Sequence, residues 1–234
     1  DIHFTDIKKE LYLQANENFS AYTHINHDCV IVHDPQPLPI IQFYQKRQPW
    51  IWRCHIDLSH PLKDLWDYLK NFLLKYETII LSNKRYLRSD LPVSQRIIPP
   101  AIDPLSTKNK LIDQTLIKKT MDHFSIPTDK PIITQISRFD KWKDPLGVLE
   151  VFKLVKKEFD CRLILLGNMA SDDPEGITIF EEVKETASKY FDEEEVILLT
   201  VENDLLVNAL QRQADVIIQK SKREGFGLTV TEAL

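Results

Sequence analysis

Near the end of the 234-residue chain, Glu224 and Glu232 stand eight residues apart around Gly225-Phe226-Gly227-Leu228-Thr229. The glycines fall where a β-branched run ends and a helix-forming run begins. Residues without a Cβ let a ligand approach the backbone, and amides at a helix N-terminus attract phosphate. Taken alone, a strand-Gly-x-Gly-helix junction is more often only a tight turn. The two acids change that balance. A carboxylate repels phosphate, so both should address neutral hydroxyls, and those of a sugar and a ribose fit.

A second set lies in Ser137-Arg138-Phe139-Asp140-Lys141-Trp142-Lys143, directly after another apolar run. Ligands of open α/β sheets bind outside the carboxyl ends of the strands. Arg138 can fork a phosphate and Lys143 can add a point charge to the same group. The plain alternative is a pair of solvated loop cations; the acidic motif downstream favours phosphate.

In the first half, His33-Asp34-Pro35-Gln36-Pro37 follows one strand-like run and Trp52-Arg53-Cys54-His55-Ile56-Asp57 contains the next. Polar groups at two neighbouring strand ends, with an aromatic wall, suit a sugar. In the alternative reading His33 and Asp34 cap a helix and His55 is a satisfied core histidine. His24 and His27 have no third ligand nearby in sequence, so no metal site is assigned. Asp172-Asp173-Pro174-Glu175-Gly176 and Asp192-Glu193-Glu194-Glu195 read as solvated acidic loops. The chain holds neither a P-loop nor a Gly-x-Ser-x-Gly elbow.

Short β-branched runs alternate with longer amphipathic ones, the pattern of βαβ units and an α/β fold with parallel sheets. Strands are expected at Cys29–Val32, Trp50–Cys54 and Thr78–Leu81, with a helix over Leu62–Lys75. Ile97-Ile98-Pro99-Pro100-Ala101-Ile102-Asp103-Pro104 carries three prolines, which favour an extended crossing segment. The domain boundary is drawn there, giving domains 1–104 and 105–234. In the second domain a helix over Asp113–Phe124 precedes strands at 131–137, 162–167, 196–200 and 215–219. Helices over 145–158, 177–190 and 204–213 lie between them, and a last helix starts after Gly227.

Hydrophobic residues make up 43% of the chain and charged residues 28%, which is globular rather than disordered composition. A net charge of −5 without a long basic block offers no field for nucleic acid or an anionic membrane surface. An anionic ligand must be met by a few placed cations. Cys29, Cys54 and Cys161 form no CxxC and sit in or beside apolar runs, so they are expected as buried thiols in a cytoplasmic protein. No apolar run reaches the length of a membrane span and no signal peptide is evident. The chain does not open with Met and closes within a helical pattern, so both domains are expected to be partial.

These residues together resemble one family. Glu224 to Glu232 is similar to the Glu-x7-Glu motif of retaining glycosyltransferases built from two Rossmann-like domains facing across a cleft, the glycosyltransferase B type. Arg138 and Lys143 resemble its phosphate-binding pair, and Pro99 to Asp103 its inter-domain segment. Within it, the stretches around Asp34, Arg53, Arg138 and Asp172 look like trehalose glycosyltransferring synthases, with retaining trehalose phosphorylases also similar. The resemblance implies that Arg138 and Lys143 neutralise a donor diphosphate, Glu232 holds the ribose hydroxyls and Glu224 lies at the donor glucose. The amides of Gly225, Phe226 and Gly227 would orient that glucose, and those of Leu228 and Thr229 would touch phosphate. Asp34, Arg53 and His55 would face the sugars from the first domain, and the nucleotide base would meet backbone near Val201 to Asn203.

The implied reaction makes trehalose from a nucleoside-diphosphate glucose and glucose, with no cofactor and no metal. A phosphorylase and a non-catalytic sugar-nucleotide module are the alternatives, and a homodimer is left open. Two departures from the family pattern stand out: Asp144 follows Lys143 where many relatives have Gly, which bears on the shape of that loop, and the Gly-rich loop expected near the family's N-terminus is not in this sequence.

Overall fold

The structure, a computed structural model, describes residues 3–168 and 174–234. Contacts divide the chain into two compact units, Asp1–Pro100 and Ala101–Leu234. The division falls inside the proline segment, four residues before the boundary drawn at 104. Each unit is a Rossmann-like α/β layer structure with an all-parallel sheet.

In the first unit, β1 (Val30–His33), β2 (Trp50–Cys54), β3 (Thr78–Leu81) and β4 (Ser94–Ile97) lie in the order β1-β2-β3-β4. Register sets Val32 beside Trp52 and Trp52 beside Ile79. With side chains alternating along a strand, these residues share one face. That face packs on α2 (Lys63–Leu73), which contributes Trp66, Leu69, Phe72 and Leu73 to the core. α1 (Asp6–Tyr22) was not expected from sequence. Its apolar residues are spread around the helix: Tyr12 and Leu13 pack on the core, while Ile7, Leu11, Phe19 and Tyr22 are exposed. β4 was also unexpected, because Ser94-Gln95-Arg96-Ile97 is a mostly polar edge strand.

The second unit orders its strands β7-β6-β5-β8: β5 (Ile132–Ile136), β6 (Arg162–Leu166), β7 (Val196–Leu199) and β8 (Val216–Ile217). Every residue of β5 and β6 is buried, the mark of a parallel sheet covered on both faces. Leu163 and Leu165 face α4 (Pro145–Val155) and α5 (Pro174–Tyr190), where Val148, Leu149, Phe152, Val183 and Ala187 close one core. Ile164 and Leu166 point the other way, to Ile117 and Met121 of α3 (Gln114–His123) and Leu206, Ala209 and Leu210 of α6 (Asp204–Gln213). Asp113 and Asn203 cap α3 and α6, accepting the amides of Leu116 and Leu206. α7 (Leu228–Ala233) follows Gly227. Asp172 and Asp173 of the acidic loop lie outside the described residues.

The cysteine expectation needs a correction: Cys54 and Cys161 are buried, but Cys29 is exposed. It lies one residue before β1, beyond the reach of the core. Burial pushes the Cys54 thiol up to about 12. Among the described residues no helix is long and apolar enough to cross a membrane.

Candidate functional site

In the second unit β6 and β7 are laid down on one side of β5, and the chain then crosses to add β8 on the other. Strand order therefore reverses between β5 and β8, and a crevice opens at such a switch point outside the carboxyl ends of the two strands. The loops leaving these strands are residues 137–144, with Arg138 and Lys143, and 218–227, with Glu224, Gly225, Phe226 and Gly227. The two loops chosen from sequence are thus the two that border the crevice.

Lys143 Nζ lies 2.6 Å from Glu224 Oε2, joining groups 81 positions apart. The same oxygen accepts from Gln219 Nε2 at 2.6 Å and Ser221 Oγ at 3.2 Å. Burial pushes the Glu224 carboxyl up, but Lys143, Ser221 and the Phe226 amide outweigh it and hold it below its ordinary range. The carboxylate is the stable form at neutral pH. Buried Gln135 donates to the Lys143 carbonyl at 2.8 Å and fixes the base of that side chain. Arg138 stays largely exposed, 3.4 Å from Asp140.

Gly227 has φ 90°, the left-handed conformation that favours glycine, and turns the chain into α7. Thr229 Oγ1 donates to the Ile136 carbonyl at 3.2 Å, tying the first turn of α7 to the end of β5. Glu232, with a side chain 7% exposed, pairs with Lys108 Nζ at 2.8 Å and is not joined to the Lys143–Glu224 pair. Leu228 is exposed.

Asp144 also adopts the left-handed conformation, at φ 53°, so the aspartate takes the shape a glycine would take there. Its buried carboxylate is met by Lys220 Nζ and, at 2.8 Å, by Lys222 Nζ. Burial opposes ionisation of Asp144, but the two lysines prevail and hold its carboxyl below the usual range. Next to it Trp142 is 44% exposed, with the Arg223 guanidinium 5.1 Å from its ring centroid.

Loop 137–144 also leans on the end of β6. The Ser137 amide bonds the Leu166 carbonyl at 2.9 Å, and a Cβ on Gly167 would run into the Ser137 carbonyl and come within 2.9 Å of the Phe139 ring. Gly167→Ala is expected to destabilise the protein by about 1–3 kcal/mol through overpacking, read as a lower urea midpoint.

In the first unit His33 is the last residue of β1 rather than the first after it, Asp34 follows the strand, and His55 follows β2. Asp34, left-handed at φ 64°, accepts the His55 amide on Oδ1 at 2.7 Å, and its carbonyl accepts Trp52 Nε1 at 2.8 Å. His33 Nδ1 and His55 Nε2 are 2.9 Å apart, with rings stacked at 5.1 Å. Both imidazoles are exposed, so His55 is not a core histidine, and Asp34 caps no helix. Arg53 is buried and gives Nη1 to the Ile98 carbonyl at 2.6 Å; burial lowers its pKa. Among the described residues no group of three His, Cys, Asp or Glu gathers to hold a metal.

Sequence reasoning missed Gln219, Ser221 and Gln135 around the Lys143–Glu224 pair, and Lys108 on Glu232. Gln219 was legible in principle: it ends an expected strand and enters the loop already chosen. Gln135 was signalled by a polar residue inside an apolar run. Nothing in local sequence pointed to Lys108.

Residues 1–88 match the family described as the trehalose synthase N-terminal domain, and residues 117–234 the one described as glycosyl transferases group 1. The chain is 45% identical over 237 residues to a trehalose synthase of Thermococcus litoralis, covering 100% of this chain and 58% of that protein. Identity to a trehalose synthase of Rubrobacter xylanophilus is 41%, over 88% of this chain and 51% of the relative. A trehalose phosphorylase of Grifola frondosa is 28% identical over 88% of this chain and 33% of its own length. Among solved structures, a trehalose-6-phosphate synthase superposes with a TM-score of 0.79 at 15% identity, over 99% of this chain and 60% of that one. At that identity the likeness speaks to the fold alone. The chain spans little more than half the length of the curated synthases it matches. With half of its residues, 117–234, matched by the family described as glycosyl transferases group 1, the chain belongs to that family.

Proposed function

We propose that this chain is the substrate-handling part of a retaining glucosyltransferase that makes trehalose from a nucleoside-diphosphate glucose and glucose. The observation that carries the reading is the 2.6 Å contact between Lys143 and Glu224 at the switch point. A cation suited to a leaving diphosphate and an acid suited to a sugar meet at one spot. Resemblance to trehalose synthases at 41–45% identity narrows the product.

In the proposed step the bond from glucose C1 to the diphosphate oxygen breaks. The new bond to the acceptor O1 forms on the same face, and the acceptor proton passes to the departing phosphate oxygen. Lys143 and Arg138 offset the charge growing on the diphosphate, so no metal is called for. Glu224, held as a carboxylate, faces the positive charge at the sugar ring and orients its hydroxyls. The amides of Gly225, Phe226 and Gly227 border the glucose, those of Leu228 and Thr229 the phosphate, and Glu232 takes the ribose hydroxyls, exchanging Lys108 for them. Asp34 and His55 are the sugar-facing residues of the first unit; Arg53, expected from sequence as a third, is buried on the Ile98 carbonyl and braces the end of β2. The enzyme is read as cytoplasmic.

The test is the reverse reaction of the full-length protein. Trehalose supplied with a nucleoside diphosphate is expected to give nucleoside-diphosphate glucose and glucose, resolved by anion-exchange chromatography. Glucose 1-phosphate formed from trehalose and inorganic phosphate would instead make the protein a phosphorylase. Binding of the nucleoside diphosphate with no product from either mixture would make it a binding module.

A further inference from the structure

Lys143 and Glu224 sit on different loops, and their separation depends on what ties those loops together. Asp144 is the residue after Lys143; Lys220 and Lys222 lie four and two residues before Glu224. Both lysines reach the Asp144 carboxylate, whose side chain is only 7% exposed. The Lys222 amide also donates to the Trp142 carbonyl at 2.7 Å, and Arg223 covers the Trp142 ring. The junction has been fitted closely: a Cβ on Gly147, one turn into α4, would collide with both the Asp144 carboxylate and the Lys220 ammonium. The backbone at Asp144 is turned left-handed, which aims its carboxylate at the β8 loop.

We propose that Asp144, with Lys220 and Lys222, is a positioning latch that joins the two loops and sets the distance between Lys143 and Glu224. The proposal rests on the reading that those two residues handle the donor. A latch differs from a stability element in what its loss does. The lysines are 40% and 60% exposed, so removing the Asp144 charge returns them to water instead of leaving a buried charge unpaired. Glycine and asparagine both accept the left-handed conformation. Removing the Asp144 charge therefore frees the loops while leaving the fold alone. Displacement of a reacting group by a fraction of an ångström to an ångström acts on the chemical step more than on acceptor binding.

The experiment compares Asp144→Gly, Asp144→Asn and Lys222→Met with the parent in the full-length protein, using UDP-glucose or ADP-glucose, whichever the parent accepts, and glucose. All three variants are expected to keep the thermal midpoint, and amide exchange across residues 218–226 is expected to quicken. The kcat for trehalose formation should fall about ten- to a hundredfold with the KM for glucose unchanged. Lys222→Met approaches the latch from the other loop, so it decides the matter should either Asp144 variant fail to fold. A wild-type kcat in the folded latch variants, beside an inactive Lys143→Met, overturns the latch and leaves the donor-site reading standing. Full transfer by Lys143→Met overturns that reading, and the latch with it.

Discussion

Glu224→Gln in the full-length protein is expected to lower the kcat for trehalose formation about a hundred- to a thousandfold while leaving the fold intact. Glutamine keeps the size of the side chain and one oxygen that can accept from Lys143, Gln219 or Ser221, so the loop should hold its shape. What it removes is the negative charge. In the proposed transition state glucose C1 carries positive charge while the diphosphate departs, and the half-buried site screens Glu224 less than water would. The loss should fall on kcat more than on the KM of the donor, because ground-state hydroxyl contacts survive with an amide in place. The measurement is initial-rate kinetics beside a thermal melt. A variant that melts normally and transfers glucose at the parental rate would remove Glu224 from the mechanism.

Lys143→Met should act in two ways that separate by pH. Loss of the cation proposed to face the diphosphate is expected to reduce kcat/KM for the donor about a hundredfold at neutral pH. Lys143 is also a principal group holding the Glu224 carboxyl below its ordinary value of 4.5. Without it burial prevails and the carboxyl moves up, so the acid limb of the residual kcat/KM profile should shift to higher pH. The same sign governs stability. A depressed carboxyl stabilises the fold fully above its unfolded pKa, near 4.5, and the contribution is lost as pH falls through the lower folded value. Removing Lys143 should therefore flatten the acid side of the stability profile. A residual acid limb that stays where the parent has it would show that Lys143 does not tune Glu224.

The second unit was largely legible because its strands are continuous apolar runs and its helices carry clear caps. Ile132–Ile136 and Arg162–Leu166 are buried on both faces, and Asp113 and Asn203 mark helix starts by their own chemistry. The first unit was less so. α1 presents apolar residues on more than one side, and β4 is short, polar and at an edge, so neither shows a periodicity of its own. At the candidate site, spacing singled out the loops but could not say which groups pair. The meeting of Lys143 with Glu224 across 81 positions follows from the strand order, which places β8 beside β5. The assignment of Lys108 to Glu232 depends on the path of residues 103–110, where no local pattern speaks. Asp144 shows the converse: the residue that departs from the resemblance is an aspartate held in the left-handed conformation that glycine adopts most readily.

Trp142 gives the paired loops an optical signature. Trp50, Trp52 and Trp66 are at most 4% exposed, whereas Trp142 is 44% exposed and lies against a guanidinium. A water-soluble collisional quencher reaches that indole and leaves the other three bright, so the quenchable fraction of the intrinsic emission comes from one known position, beside Arg223. The chain carries its own reporter for whatever enters, leaves or loosens the crevice between β5 and β8, with no label attached.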